Sequence, residues 1–188
     1  MKRFFVLLAV MASVTFMQAQ KLKGDLSPLS GQKELNVVFV YDGVTYDGDS
    51  EAKFFKKNDD HDDFEQWKKD WTGEFRTNMW EPEMLKEWNN EMSKLQAGNY
   101  PDAKYTAVVK ITDIDPGSFA GPFSQPCKLT GTVTFVPTGS TDSFAIITFS
   151  DIAGNGYQMT PVVEHRVKFA FSELGEEIGE ICNKKIKK

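Results

Sequence analysis

The stretch Lys104-Tyr105-Thr106-Ala107-Val108-Val109-Lys110-Ile111-Thr112 decides the fold. Tyr105, Ala107, Val109 and Ile111 recur at every second position with mostly polar residues between them, which predicts a strand with one face on a core. Further on, residues 128–136 set Leu129, Val133 and Phe135 on one face and threonines on the other. The turn Pro137-Thr138-Gly139-Ser140-Thr141-Asp142 follows, and residues 143–149 return as the second strand of a hairpin. Between the first two of these strands, Asp115-Pro116-Gly117-Ser118-Phe119-Ala120-Gly121-Pro122 excludes helix and ladder alike and predicts a long, shaped loop.

Upstream the period changes. Phe64, Trp67, Trp71, Phe75 and Met79 fall on one helical face, and the acids Asp59, Asp60, Asp62 and Asp63 stand where a helix N-terminus favours negative charge. A second helix opens at Glu81-Pro82, runs on Leu85, Trp88, Met92 and Leu95, and ends at Ala97-Gly98-Asn99. Before them, Leu35-Asn36-Val37-Val38-Phe39-Val40-Tyr41 predicts another strand, a central one if Val38 and Val40 are covered. Ser50-Glu51 offers the start of a short helix carrying Phe54 and Phe55. The chain closes on Val163, Val167, Ala170, Phe171, Leu174, Ile178, Ile181 and Cys182, a sustained helix over 161–185 whose Gly175 and Gly179 predict close packing against the sheet. Its lysine-rich tail suits a helix C-terminus. The helical segment between the first two strands is long enough for a crossover, so those strands can lie parallel. The expected fold is α+β: a two-layer sandwich with a mixed sheet of about four strands and the helices on one face.

Residues 1–20 look like an export signal: Met1-Lys2-Arg3, an apolar body from Phe4 to Met17, and a small-residue exit at Ala19. That leaves 21–188 as one α+β domain. Loss of Lys2 and Arg3 moves the formal charge from −5 to −7, which argues against nucleic acid or anionic lipid as the main partner. The apolar body is too short to span a bilayer, so a soluble periplasmic or extracellular protein is expected. The first cysteine, Cys127, stands far from the exit, so no lipid anchor is expected there. Cys127 and Cys182 form either one bridge, permitted outside the cytoplasm, or two buried free thiols.

Motifs for chemistry are sparse. His61 and His165 have no zinc-ligand spacing, and the 59–63 acids lack the oxygen pattern and glycine of a calcium loop. Asp47, Asp49 and Glu51 form a second acidic turn of equal weakness. No nucleophile elbow, phosphate loop or dinucleotide fingerprint is present, no cofactor is implied, and nothing argues for an enzyme. Trp67, Trp71, Trp80 and Trp88 stand within 22 residues. Three of them lie on the apolar stripes as core, whereas Trp80 falls in the break between helices, open to burial or exposure. Trp80, Phe119 and Phe123 are therefore the candidate residues for binding a partner or ligand.

The signal followed by Leu26-Ser27-Pro28-Leu29-Ser30-Gly31-Gln32-Lys33, the Trp67/Trp71 helix leading into Trp80-Glu81-Pro82, Lys104-Tyr105-Thr106 with Asp115-Pro116-Gly117, and the closing helix together resemble a family of exported Bacteroidetes proteins of unknown activity. More distantly, the late strands and terminal helix are similar to envelope lipoproteins and to the N-terminal domain of TolB, although this chain lacks the lipobox. The resemblance implies an interaction module and carries no catalytic residue with it. Three readings follow: a non-catalytic envelope protein that binds another protein or itself, a glycan or small-ligand binder with a groove between the helices and the Pro-Gly loop, and a hydrolase using paired carboxylates.

Overall fold

The computed structural model describes residues 20–154 and 160–186. The expected export signal, apart from Gln20, lies outside them, as do Lys187 and Lys188. Strands β1 (Lys21–Gly24), β2 (Glu34–Val40), β3 (Thr45–Tyr46) and β4 (Asp49–Ser50) come first. Helices α1 (Glu51–Lys57), α2 (Phe64–Thr72) and α3 (Glu81–Glu91) follow, with a π-helical turn, Arg76–Trp80, leading into α3. Then come β5 (Gln96–Gly98), β6 (Tyr105–Asp115), β7 (Lys128–Pro137), β8 (Ala145–Ala153) and α4 (Val163–Ile186).

The class is α+β, but among the described residues the sheet has eight strands rather than about four, in the order β1-β8-β7-β6-β2-β5, with a small β3–β4 hairpin attached to β6. The four long strands are the expected ones. The added four are two to four residues long, too short to show an alternation in sequence. β2 lies inside the order, parallel to both β6 and β5, with Asn36 opposite Thr106 and Gly98.

The inward residues of the long strands, among them Leu35, Ala107, Val109, Ile111, Val133, Phe135, Ile147 and Phe149, are fully buried. On the other face Val38 is 44% exposed, and Lys110 and Thr148 are open to solvent, so the helices cover one side only. β2 is central, as expected, although Val38 on its second face is not covered.

α4 is the helix expected, and its glycines do allow close packing, but against α3 rather than the sheet. A side-chain carbon on Gly175 would stand 2.2 Å from the Met84 carbonyl oxygen, and one on Gly179 would stand 2.8 Å from that of Trp88. The stripe expected to run unbroken from Phe64 to Met79 is interrupted at Gly73, after which the backbone widens into the π turn. Leu95, read as part of the second helix, lies beyond its end and is still buried.

Cys127 and Cys182 are free, buried thiols, so the candidate bridge is not formed. Cys127 lies near Arg166 at the start of α4, whereas Cys182 is sixteen residues further along the same helix, beside Trp88. At 1.5 Å per residue that span far exceeds the separation a disulfide tolerates. Burial raises the Cys127 thiol well above its usual range and pushes Cys182 up to about 12.

Candidate functional site

The N-terminal end of α4 gathers most of the residues singled out in the sequence. The loop after β6 is tightly built. Asp115 Oδ1 accepts from the Gly117 N–H at 2.9 Å, and Ser118 and Gln125 exchange backbone hydrogen bonds. Gly117 has φ +64°, and a side-chain carbon there would stand 2.3 Å from the Gln125 carbonyl oxygen, so the turn depends on glycine. Ser124 Oγ accepts from the Ala120 N–H and donates to the Gly121 carbonyl, closing the tip.

Arg166 fastens this loop to the helix. Its Nε donates to the Pro116 carbonyl at 3.0 Å, and Nη1 donates to the carbonyls of Thr160 and Pro161. The residue is only 8% exposed. A buried guanidinium needs partners, and three carbonyl oxygens supply them. The sequence did carry a sign of this brace, since Arg166 stands three residues after Val163 and four before Ala170, a cation on an otherwise apolar face.

Trp80 reaches the same helix end from beneath. Its indole N–H donates to the Glu164 carbonyl at 3.0 Å, while its ring lies against Trp71 and Phe171, with centroids 5.0 and 5.9 Å away. Trp80 has no exposed surface, so it is core and not a contact residue, which corrects its place among the candidates. The other three tryptophans are buried as expected. Phe119 and Phe123 are the opposite case, 50% and 79% exposed at the loop tip. Val162, beside the Arg166 brace, is another of the exposed large apolar residues.

Next to the loop lies a groove of about 730 Å³, bounded by Tyr46, Asp49, Lys57, His61, Pro161 and Arg166. One of its acids, Asp49, is paired with both Lys53 and Lys57, whose hydrogen bonds hold its carboxyl below the usual range. Tyr46 is turned inward, its ring stacked on Phe54 and its hydroxyl accepting from Arg76 Nη2 at 2.9 Å. Arg76 also pairs with Glu51 and lies over the Tyr41 ring, a partly buried polar cluster at the π turn that sequence reading did not find. Burial raises the neighbouring Glu81 carboxyl. The acids at 59–63 form an exposed turn, in which His61 stacks on Trp67 with centroids 4.7 Å apart. His165 is exposed on the first turn of α4.

Comparison with protein-family models, with curated proteins and with solved structures finds no match. Among the described residues no helix is long and apolar enough to cross a membrane.

Proposed function

We propose that the protein is a non-catalytic, exported component of the bacterial envelope, periplasmic or secreted, which binds another protein or a second copy of itself through the loop carrying Phe119 and Phe123. The observation that carries this reading is Phe123, 79% exposed on a loop that Arg166 and its own hydrogen bonds hold in shape. Ordering a flexible loop on binding costs free energy, so a pre-shaped apolar tip loses less of its contact energy. Exposed aromatics on such a support are the usual anchors of an interface. The test is the double variant Phe119→Ser, Phe123→Ser, compared with wild type in sedimentation and in capture of proteins from a periplasmic extract. The reading expects self-association or a specific partner for wild type and its loss in the variant. Identical behaviour of the two proteins would refute it.

A second reading, a glycan or other small ligand, is supported by the groove itself, which lies between the helices and the Pro-Gly loop. Because His61 lines the groove and stacks on Trp67, an occupant should change tryptophan emission. Emission unchanged across a panel of glycans and cell-wall fragments would remove this reading.

A further inference from the structure

The uncovered face of the sheet differs in sign from the chain as a whole. The registers of β1, β8, β7 and β6 set Lys21, Thr148, Thr132 and Lys110 opposite one another in a row across the strands, with Val40 of β2 at its end. Three steps of about 4.8 Å separate the two lysines, roughly 14 Å in all. The adjacent row reads Lys23, Ile146, Thr134, Val108 and Val38, the last 44% exposed. Neither row holds an acid, in a chain of net charge −5. On the helices lysines are tied to acids, Lys57 to Asp49 and Lys168 to Glu83 among them. Among the described residues Lys21, Lys23 and Lys110 have no such partner.

A complementary surface lies on the same chain. Glu173, Glu176, Glu177 and Glu180 follow at helical spacing and share one side of α4, apart from Gly175 and Gly179, which face α3. Glu176 is exposed and the other three are partly exposed. Among the described residues only Glu180 of the four has an ion partner, Lys184 in the next turn, and Glu177 Oε2 lacks even a hydrogen bond. Burial, and then the neighbouring carboxylates, raise Glu173 and Glu177, as expected of acids with no cation beside them. The strip is about 10 Å long, a length that flexible lysine side chains can match.

We propose that the open sheet face docks a second copy of this chain, whose α4 acids meet Lys21, Lys23 and Lys110 over the row of Val38, Val108 and Ile146. The two surfaces are opposite in sign, unpaired within the chain and similar in length. Exposed ion pairs contribute little singly, so the contact is weak. Screening over about 8 Å at physiological ionic strength makes it salt-sensitive, and lets each face act through its own charge rather than the net charge. Because the two surfaces differ, docking is head-to-tail and leaves one free copy of each, so assembly is open-ended. The inference does not rest on the loop that carries Phe119 and Phe123.

Sedimentation of the purified protein at low ionic strength tests it. The average mass should rise with concentration without levelling at the dimer, and fall to that of the monomer as salt is added. The triple variants Lys21→Ser, Lys23→Ser, Lys110→Ser and Glu173→Gln, Glu176→Gln, Glu180→Gln each remove one surface. Each should self-associate about tenfold more weakly and melt no lower than wild type. Mixed in equal amounts, the two variants keep one intact pairing between them and should form a 1:1 dimer that grows no further. The Phe119→Ser, Phe123→Ser variant should assemble as wild type does, which separates this contact from the loop. Monomeric wild type at low salt, undiminished association of either charge variant, a mixture that stays monomeric, or assembly lost in the loop variant would each overturn the proposal.

Discussion

The two aromatic regions of this molecule, the tryptophan cluster under the helices and the phenylalanine pair on the Pro-Gly loop, use the same class of side chain to opposite ends. Trp71, Trp80 and Trp88 have no exposed surface, whereas Phe119 and Phe123 are among the most exposed apolar residues described. Trp71 and Trp88 stand on helical stripes whose spacing turns them inward, and Trp80 ends the π turn that carries it into the core. The phenylalanines stand where prolines, glycines and Ser124 bend the backbone back on itself, leaving no core within reach. Aromatic content alone therefore says little about binding, and the backbone that carries each ring decides its role.

The sharpest way to break this contrast is Trp80→Ala. It empties a fully buried site and removes the indole hydrogen bond to the Glu164 carbonyl, so a loss of about 4 kcal/mol is expected. Thermal unfolding checks it, and a melting point lowered by only a degree or two would mean that Trp80 is not core. Next in size, Arg166→Met should cost about 2 kcal/mol, because three partly buried backbone carbonyls lose a charged donor. It should also expose the loop to limited proteolysis between Gly117 and Gln125. Unchanged cleavage would show that the loop holds its shape without the brace.

A smaller effect is expected midway along α4, the helix that both regions share. Burial, and then the carboxylates of Glu173, Glu176 and Glu180, raise Glu177 from 4.5 to about 7. The folded state thus holds this proton more tightly than the unfolded chain does, so the group costs stability increasingly as pH rises from about 4.5 through 7 and nothing below that window. Glu177→Gln should raise the melting point at pH 8 by a few degrees and leave it unchanged at pH 4. An equal gain at both pH values would assign the effect to something other than ionisation. The smallest effect is on the exposed side of the contrast: Phe123→Ser should move stability by less than about 0.5 kcal/mol. A large destabilisation would show that this ring packs on something in solution.

Much of the architecture was legible because long elements repeat their pattern several times. α4 carries an apolar position on nearly every turn, and β6 and β7 alternate over most of their eleven and ten residues. β3 and β4 have two residues each, and β5 has three at what resembles a helix end, so no period could announce them. At the candidate site the phenylalanine loop was legible from its prolines and glycines, and Trp80 was not. It falls at the break between two helical stripes, and its burial comes from Trp71, Phe171 and Glu164, the last of them 84 positions away. The Arg76 cluster eluded sequence reading for the same reason, since Glu51, Tyr46 and Arg76 meet only when the β3–β4 hairpin lies against the π turn.

By itself the sequence determined the class, the long strands and helices, the apolar faces they bury and the loop that must leave the ladder. These follow from local periodicity and from backbone restrictions that each residue carries with it. Only the tertiary structure decided that the cysteines stand far apart, that all four tryptophans are core, and that α3 and α4 meet through Gly175 and Gly179. It also created the groove at the start of α4. Cavities and pairings of that kind lie between elements distant in the chain, where no local pattern records them.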